Sequence, residues 1–169
     1  MNAVTSAGLL AASKNPMAQR ESRHSYSISL EQGEITNQKQ SGRCWMFAAL
    51  NTFRFEVMKN LNLKTFELSQ NYTLFYDKLE KSNYFLESIL ETLDEPTQGR
   101  LISFLLSAPL GDGGQWDMLC NLVRKYGVVP KEAMPETVSS SATREMTSAL
   151  TRKLREDACR LRKAYADGS

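Results

Sequence analysis

Apolar side chains recur at steps of three and four along most of this chain, and that period confines it to helices packed on one another. From Cys44 to about Leu61, the residues Trp45, Ala48, Ala49, Phe53 and Val57 fall on one face. A second helix is expected from an N-cap at Ser69 to a stop at Pro96. Its inward face is read as Tyr72, Phe75, Tyr76, Leu79, Leu86, Ile89, Leu90 and Leu93. A glycine-bearing loop with Gly111, Gly113 and Gly114 follows. Gln115 to Tyr126 reads as a third helix with Trp116, Leu119, Cys120 and Val123 inward and Gly127 at its C′ position. Beyond Pro130 and Pro135, a last long helix repeats Met146, Leu150, Leu154, Ala158 and Leu161, a broad apolar stripe that nothing later in the sequence covers. Only Tyr26 to Leu30 alternates apolar with polar, which suits a short strand. Residues 1–24 are rich in Ala and Ser and read as an irregular or weakly helical segment, leaving 25–169 as the mainly helical part of a domain.

The composition narrows the classes of function. Hydrophobic residues at 41% and charged residues at 24% are ordinary for a globular chain and exclude wholesale disorder. A net charge of +2 is too small to point to nucleic acid or a membrane surface. No apolar run reaches the roughly 18–20 residues that span a bilayer, and the short apolar patch near the N-terminus lacks a basic stretch before it, so a secretory signal is not expected. The 3 cysteines, Cys44, Cys120 and Cys159, are widely spaced without a C-x-x-C pair, which fits neither a disulfide framework nor a zinc site. A reducing, cytoplasmic location without metal or other cofactor is the expectation.

The chemistry is concentrated in Thr36-Asn37-Gln38-Lys39-Gln40-Ser41-Gly42-Arg43-Cys44-Trp45-Met46-Phe47-Ala48. A thiol stands where a polar, glycine-containing loop runs into an amphipathic helix. Unpaired backbone N–H groups and the helix dipole favour an anion at such a place, and the thiolate is the reactive form of cysteine. Arg43 adds an expected positive charge beside it. Upstream, Gln38 carries an amide donor. Acyl transfer needs donors aimed at a developing oxyanion, and a side-chain amide together with the nucleophile's own N–H can supply them.

Ser41-Gly42-Arg43-Cys44-Trp45 resembles the C-G-[SA]-C-[WY] signature of the papain group, keeping the glycine, the cysteine and the aromatic residue. It departs at Ser41 and Arg43. The cysteine missing at Ser41 is the one paired in secreted and lysosomal members, which suits a cytoplasmic branch. The longer run TNQKQSGRCWMFAALNTFR closely resembles the aminopeptidase C and bleomycin hydrolase family. Further segments match in the same order: Phe66-Glu67-Leu68-Ser69-Gln70, which resembles the opening of the family's second helix; Gly111-Asp112-Gly113-Gly114-Gln115-Trp116, which resembles the Gly-Gly loop bordering its cleft; and Tyr126-Gly127-Val128-Val129-Pro130.

The resemblance implies an α+β, papain-like cysteine proteinase fold of which this sequence supplies mainly the helical lobe. It implies Cys44 as nucleophile, Gln38 in the oxyanion hole, and Gly113 and Gly114 as backbone contacts for a peptide substrate. The implied activity is release of N-terminal residues from peptides through an acyl-enzyme on Cys44. Family members form homo-hexamers whose sites face an inner cavity, and a C-terminal arm restricts them to aminopeptidase action.

Other residues read as structural. Cys120 and Cys159 are expected in the core. His24 is the only histidine and precedes Cys44, whereas the papain group carries its histidine and asparagine roughly 130–150 residues after the cysteine. The general base is therefore expected to be absent from this sequence, which reads as the front part of such a peptidase and as inactive alone. The alternative is a truncated, non-catalytic relative that binds peptides or nucleic acid. The basic residues of the last helix, Arg144 to Lys163, make that conceivable, although their interleaving with Glu145, Glu156 and Asp157 is what a solvated face shows.

Overall fold

The computed structural model describes residues 2–21, 25–30 and 33–168, and the chain divides into two compact units, residues 1–31 and 32–169. The first is helical rather than irregular, the second of the two alternatives its composition leaves open. It holds three short helices, α1 (Asn2–Ala7), α2 (Leu9–Ala12) and α3 (Pro16–Glu21). Alanine-rich stretches form helix readily, Gly8 at φ +80° separates the first two, and Pro16 stands at a first helical position where its missing N–H costs nothing. Tyr26 to Leu30 forms no strand; Tyr26 is 79% exposed, and alternation without a partner ladder buries nothing. His24 lies outside the described residues.

The second unit carries α4 (Cys44–Leu61), α5 (Gln70–Glu91), α6 (Arg100–Ser107), α7 (Trp116–Tyr126), a 3₁₀ turn at Lys131–Ala133, α8 (Val138–Ser141) and α9 (Arg144–Ala166). Helix α5 is central and packs against α4, α6, α7 and α9. It starts where expected: the Ser69 hydroxyl accepts the Tyr72 N–H at 3.0 Å and donates to the Met134 carbonyl. It stops at Thr92, before Pro96.

Several inward faces differ from those the hydrophobic pattern suggests. On α5, Gln70, Asn71, Asp77 and Lys78 are buried, while Phe75, Leu79 and Leu90 face solvent. On α4 the buried set is Met46, Phe47, Ala49, Leu50 and Arg54. On α7, Leu122 joins Leu119 inside and Trp116 lies 62% exposed. Helix α6 occupies a stretch expected to be loop; Gly99 precedes it and Ile102 is its buried anchor.

The stripe on α9 is not left open. Leu154 and Ala158 close a core cluster with Phe85, Ile89 and Leu110, and Leu150 and Leu161 pack on its margin. Each such aliphatic side chain contributes roughly 1.5–3 kcal/mol when fully buried. Four basic residues of α9 are also engaged. Arg155 donates to the Leu106 and Ser107 carbonyls at 2.9 and 3.0 Å, and Arg162 to those of Thr92 (2.8 Å) and Glu95, so each guanidinium meets the carbonyl end of a helix. Lys153 and Arg160 pair with Glu156 and Asp157 on their own helix.

Strand content among the described residues is limited to isolated bridges. Leu68 pairs antiparallel with Pro130, with Ser69 N–H donating to Val129 and Lys131 N–H to Glu67, each at 2.9 Å. The Glu67-Leu68-Ser69 and Val128-Val129-Pro130 segments, far apart in sequence, are thus one joint. Gln40 and Ala142 make the other bridge. No helix among the described residues is long and apolar enough to cross a membrane.

Candidate active site

Cys44 is the first residue of α4 and its side chain is exposed. Its N–H is among the opening amides of the helix, which have no carbonyl partner within it. The loop leading to it is fixed from both sides. Lys39 adopts φ +54° with its N–H on the Asn37 Oδ1 at 2.7 Å, which turns the chain sharply. The Gln38 amide then donates to the Ser41 carbonyl at 2.9 Å, and the Ser41 hydroxyl returns a bond to the Gln38 carbonyl at 2.6 Å. A side-chain amide group has two N–H donors, so Gln38 anchors itself with one and keeps a second.

Arg43 does not act as a loose cation beside the thiol. Its side chain is 0% exposed, and its guanidinium grips both carboxylate oxygens of Glu136 at 2.8 and 2.9 Å. Its Nε donates to Ser41 Oγ at 2.8 Å, and its plane lies over Phe47. Burial works against ionisation of Glu136, yet the bonds from Arg43 and Ser140 outweigh it and hold the carboxyl below its usual range. Arg43 is a clamp between the loop before Cys44 and the segment leading into α8.

The glycine loop comes to the same end of α4. Its consecutive carbonyls are drawn inward: Gly111 receives Lys78 (2.9 Å) and Lys81 (3.1 Å), Asp112 receives the Trp45 indole N–H (2.9 Å), and Gly113 receives Lys81 (2.7 Å). Gly114 lies flat on the Trp45 ring; a Cβ there would stand 2.4 Å from Cε2. At Gly113 a Cβ would meet open space. The glycine requirement thus belongs to Gly114 through contact with the neighbour of Cys44, while Gly113 is held by its carbonyl. A groove of about 350 Å³ opens beside this contact, lined by Trp45, Ala48, Ala49, Thr52, Gly114, Gln115, Trp116 and Leu119.

Sequence reasoning missed the polar hub behind the loop. The Asp112 carboxylate accepts the Lys78 ammonium at 2.5 Å, the Gly42 N–H at 3.2 Å, the Thr147 hydroxyl at 3.2 Å and the Thr143 hydroxyl. Burial opposes its charge, but Lys78, Thr143 and Gly42 together keep it ionised far below the ordinary carboxylate range. Buried Asp77 and half-buried Lys81 pair at 2.8 Å; burial pushes Asp77 up and Lys81 down, each against the pull of the other. The one available signal was an acidic residue set between glycines at Gly111-Asp112-Gly113. Of the other cysteines, Cys120 is half-buried, but Cys159 is exposed on α9 rather than in the core.

Cys44, the Gln38-braced loop and the glycine loop therefore meet at one end of α4. The arrangement offers an accessible sulfur, amide donors nearby and a glycine backbone, which is what acyl transfer on a peptide needs. Among the described residues no cluster of His, Cys, Asp and Glu has the make-up of a metal centre.

A family model described as "Peptidase C1-like family" matches residues 1–169. The chain is 53% identical over 160 residues to aminopeptidase C of Listeria monocytogenes, covering 95% of this chain and 36% of that protein. It is 48% identical over 146 residues to bleomycin hydrolase of Homo sapiens, covering 85% of this chain and 32% of the relative. A crystal structure of pepW from Lactobacillus rhamnosis superposes with a TM-score of 0.88 at 52% identity, over 99% of this chain and 38% of that one. The chain spans just over a third of the length of the first of these relatives.

Proposed function

The chain belongs to the Peptidase C1-like family, and from that premise we propose that it contributes the nucleophile side of a cysteine-type aminopeptidase. The carrying observation is the exposed Cys44 at the opening of α4, on a loop braced by the Gln38 amide. In this reading the Cys44 thiolate attacks the carbonyl carbon of the N-terminal residue of a peptide. The carbonyl oxygen, now negative, is received by the Cys44 N–H and the second Gln38 N–H. The peptide lies along the glycine loop, with Gly114 as the closer of the two glycines to Trp45. Collapse of the adduct expels the amine and leaves an acyl-enzyme that water hydrolyses. Protonation of the amine requires an acid. No histidine follows Cys44 within these 169 residues, so that group comes from outside them.

The 3 free cysteines support a reducing, cytoplasmic setting, and the homo-hexamer implied by the family resemblance belongs to the same reading. An aminoacyl chloromethyl ketone tests it. The thiolate displaces chloride and forms a carbon–sulfur bond, which mass spectrometry locates. Label on Cys44 in strong preference to Cys159, which is also exposed, is expected. Even labelling of the two thiols contradicts the proposal.

A further inference from the structure

The peptide group joining Ser41 to Gly42 is held at both ends. Its carbonyl oxygen accepts the Gln38 amide at 2.9 Å, and its N–H donates to Asp112 Oδ2 at 3.2 Å. Asp112 is held in turn by Lys78, Thr143 and Thr147, from α5 and the start of α9. A Cβ on Gly42 would stand 2.7 Å from Asp112 Cβ, so the Asp112 side chain lies directly against the Gly42 backbone. We propose that Asp112 is a positioning residue for the oxyanion hole: by fixing the plane of the Ser41–Gly42 peptide, it sets where the Gln38 amide points.

A peptide plane can turn about its flanking bonds, and its C=O and N–H turn together. The Gln38 side chain follows the carbonyl it is bonded to. A carboxylate at the N–H end makes one orientation strongly preferred, because a charge-assisted bond is about twice as strong as a neutral one. The same bond polarises the peptide and strengthens its carbonyl as an acceptor. Asp112 touches neither the thiol nor the substrate in this account. It acts through Ser41–Gly42 and then through Gln38.

This inference rests on the proposed role of Gln38, and its test separates the two. A peptide aldehyde adds reversibly to Cys44: the sulfur–carbon bond forms, the carbonyl π bond opens, and the thiol proton ends on the oxygen held in the oxyanion hole. Dissociation constants are measured for the 169-residue chain and for Gln38→Ala, Asp112→Asn and the double variant. Iodoacetamide alkylation of Cys44, which builds no oxyanion, serves as the control. Asp112→Asn keeps the volume but turns an NH₂ toward the donors. It is expected to weaken aldehyde binding about tenfold, within the coupling range of contacting neighbours, and to leave the alkylation rate within about twofold, since that step builds no oxyanion charge. In the Gln38→Ala background the same substitution is expected to add nothing. Losses that multiply in the double variant overturn the proposal, as does an Asp112→Asn chain that binds like the parent. Should Asp112→Asn lose its helical circular dichroism, Thr143→Val removes one support of the carboxylate without changing charge, and the same non-additivity is expected. If the parent chain forms no aldehyde adduct, the nucleophile reading fails, and the inference is decided by the Gln38 side-chain amide signals in a nitrogen–proton spectrum. These shift in Asp112→Asn if Asp112 orients Gln38; unchanged signals refute it.

Discussion

Two single residues set the precision of the site, Gly114 by its size and Arg43 by its charge. Any side chain at Gly114 enters the Trp45 ring. Gly114→Ala is expected to cost about 1–3 kcal/mol, the usual penalty for overpacking, visible as a lower midpoint in urea melts followed by tryptophan fluorescence. Gly113→Ala, facing open space, is expected to cost less than half as much. Arg43→Met keeps the bulk of the buried stem and removes the partner of Glu136. Because Glu136 remains partly exposed, the loss is expected at about 3 kcal/mol, the low end for broken buried pairs. The same pair gives the unit a pH dependence. Glu136 and Asp112 titrate below their ordinary values of 4.5 and 3.8 in the folded chain. Their stabilisation is complete above those values and is lost as pH falls through and below them, while Asp77, raised by burial, works in the opposite sense. Stability measured from about pH 6 down to about pH 3 is expected to fall in the parent and to fall less steeply in Arg43→Met, which has already lost the Glu136 contribution.

The helices show where a sequence is readable and where it is not. The start of α4 at Cys44, the Ser69 cap and the Gly127 terminus were legible because each depends on local chemistry: a turn, a hydroxyl, a positive φ. Inward faces were not. Hydrophobic periodicity identifies a buried face only when burial is apolar, and the buried sides of α4 and α5 include Arg54, Gln70, Asp77 and Lys78. Arg54 and Lys78 are inside because they meet Glu34 and the Gly111–Asp112 loop, and partners that far away do not show in a local pattern; Asp77 is matched by Lys81 on its own helix. Helix α6 was hidden for a related reason. Its polar residues Arg100, Ser103 and Ser107 do share one side, but its near-continuous apolar run is short, and its last carbonyls are satisfied by Arg155 from α9. Arg155→Ala is expected to destabilise the unit by about 1 kcal/mol and to speed hydrogen exchange at α6 amides more than at α5. Arg162→Ala is expected to show the reverse preference, since it caps the end of α5.

For the whole molecule, the covered stripe of α9 argues for a cooperative unit, and the absent histidine argues against turnover by that unit alone. The 169-residue chain is expected to unfold in a single sharp thermal transition for residues 32–169, with no binding of a dye that reports exposed apolar surface. It is expected to hydrolyse aminoacyl-amides no faster than its Cys44→Ala variant; Cys44-dependent turnover measured on the purified chain contradicts this. The loop into α4 and the exposed Cys44 that opens the helix were legible because that segment is continuous in sequence. The hub that steadies them was not, because it is assembled from residues that meet only in the fold. The Gly42 bond to Asp112 spans 70 positions, and Asp112 leans on Thr143, a further 31 along. A chain emerging from the ribosome therefore exposes its cysteine long before it can complete the frame around it. Within these 169 residues, the frame around the loop before α4 can close only once Thr143 and Thr147 have been made.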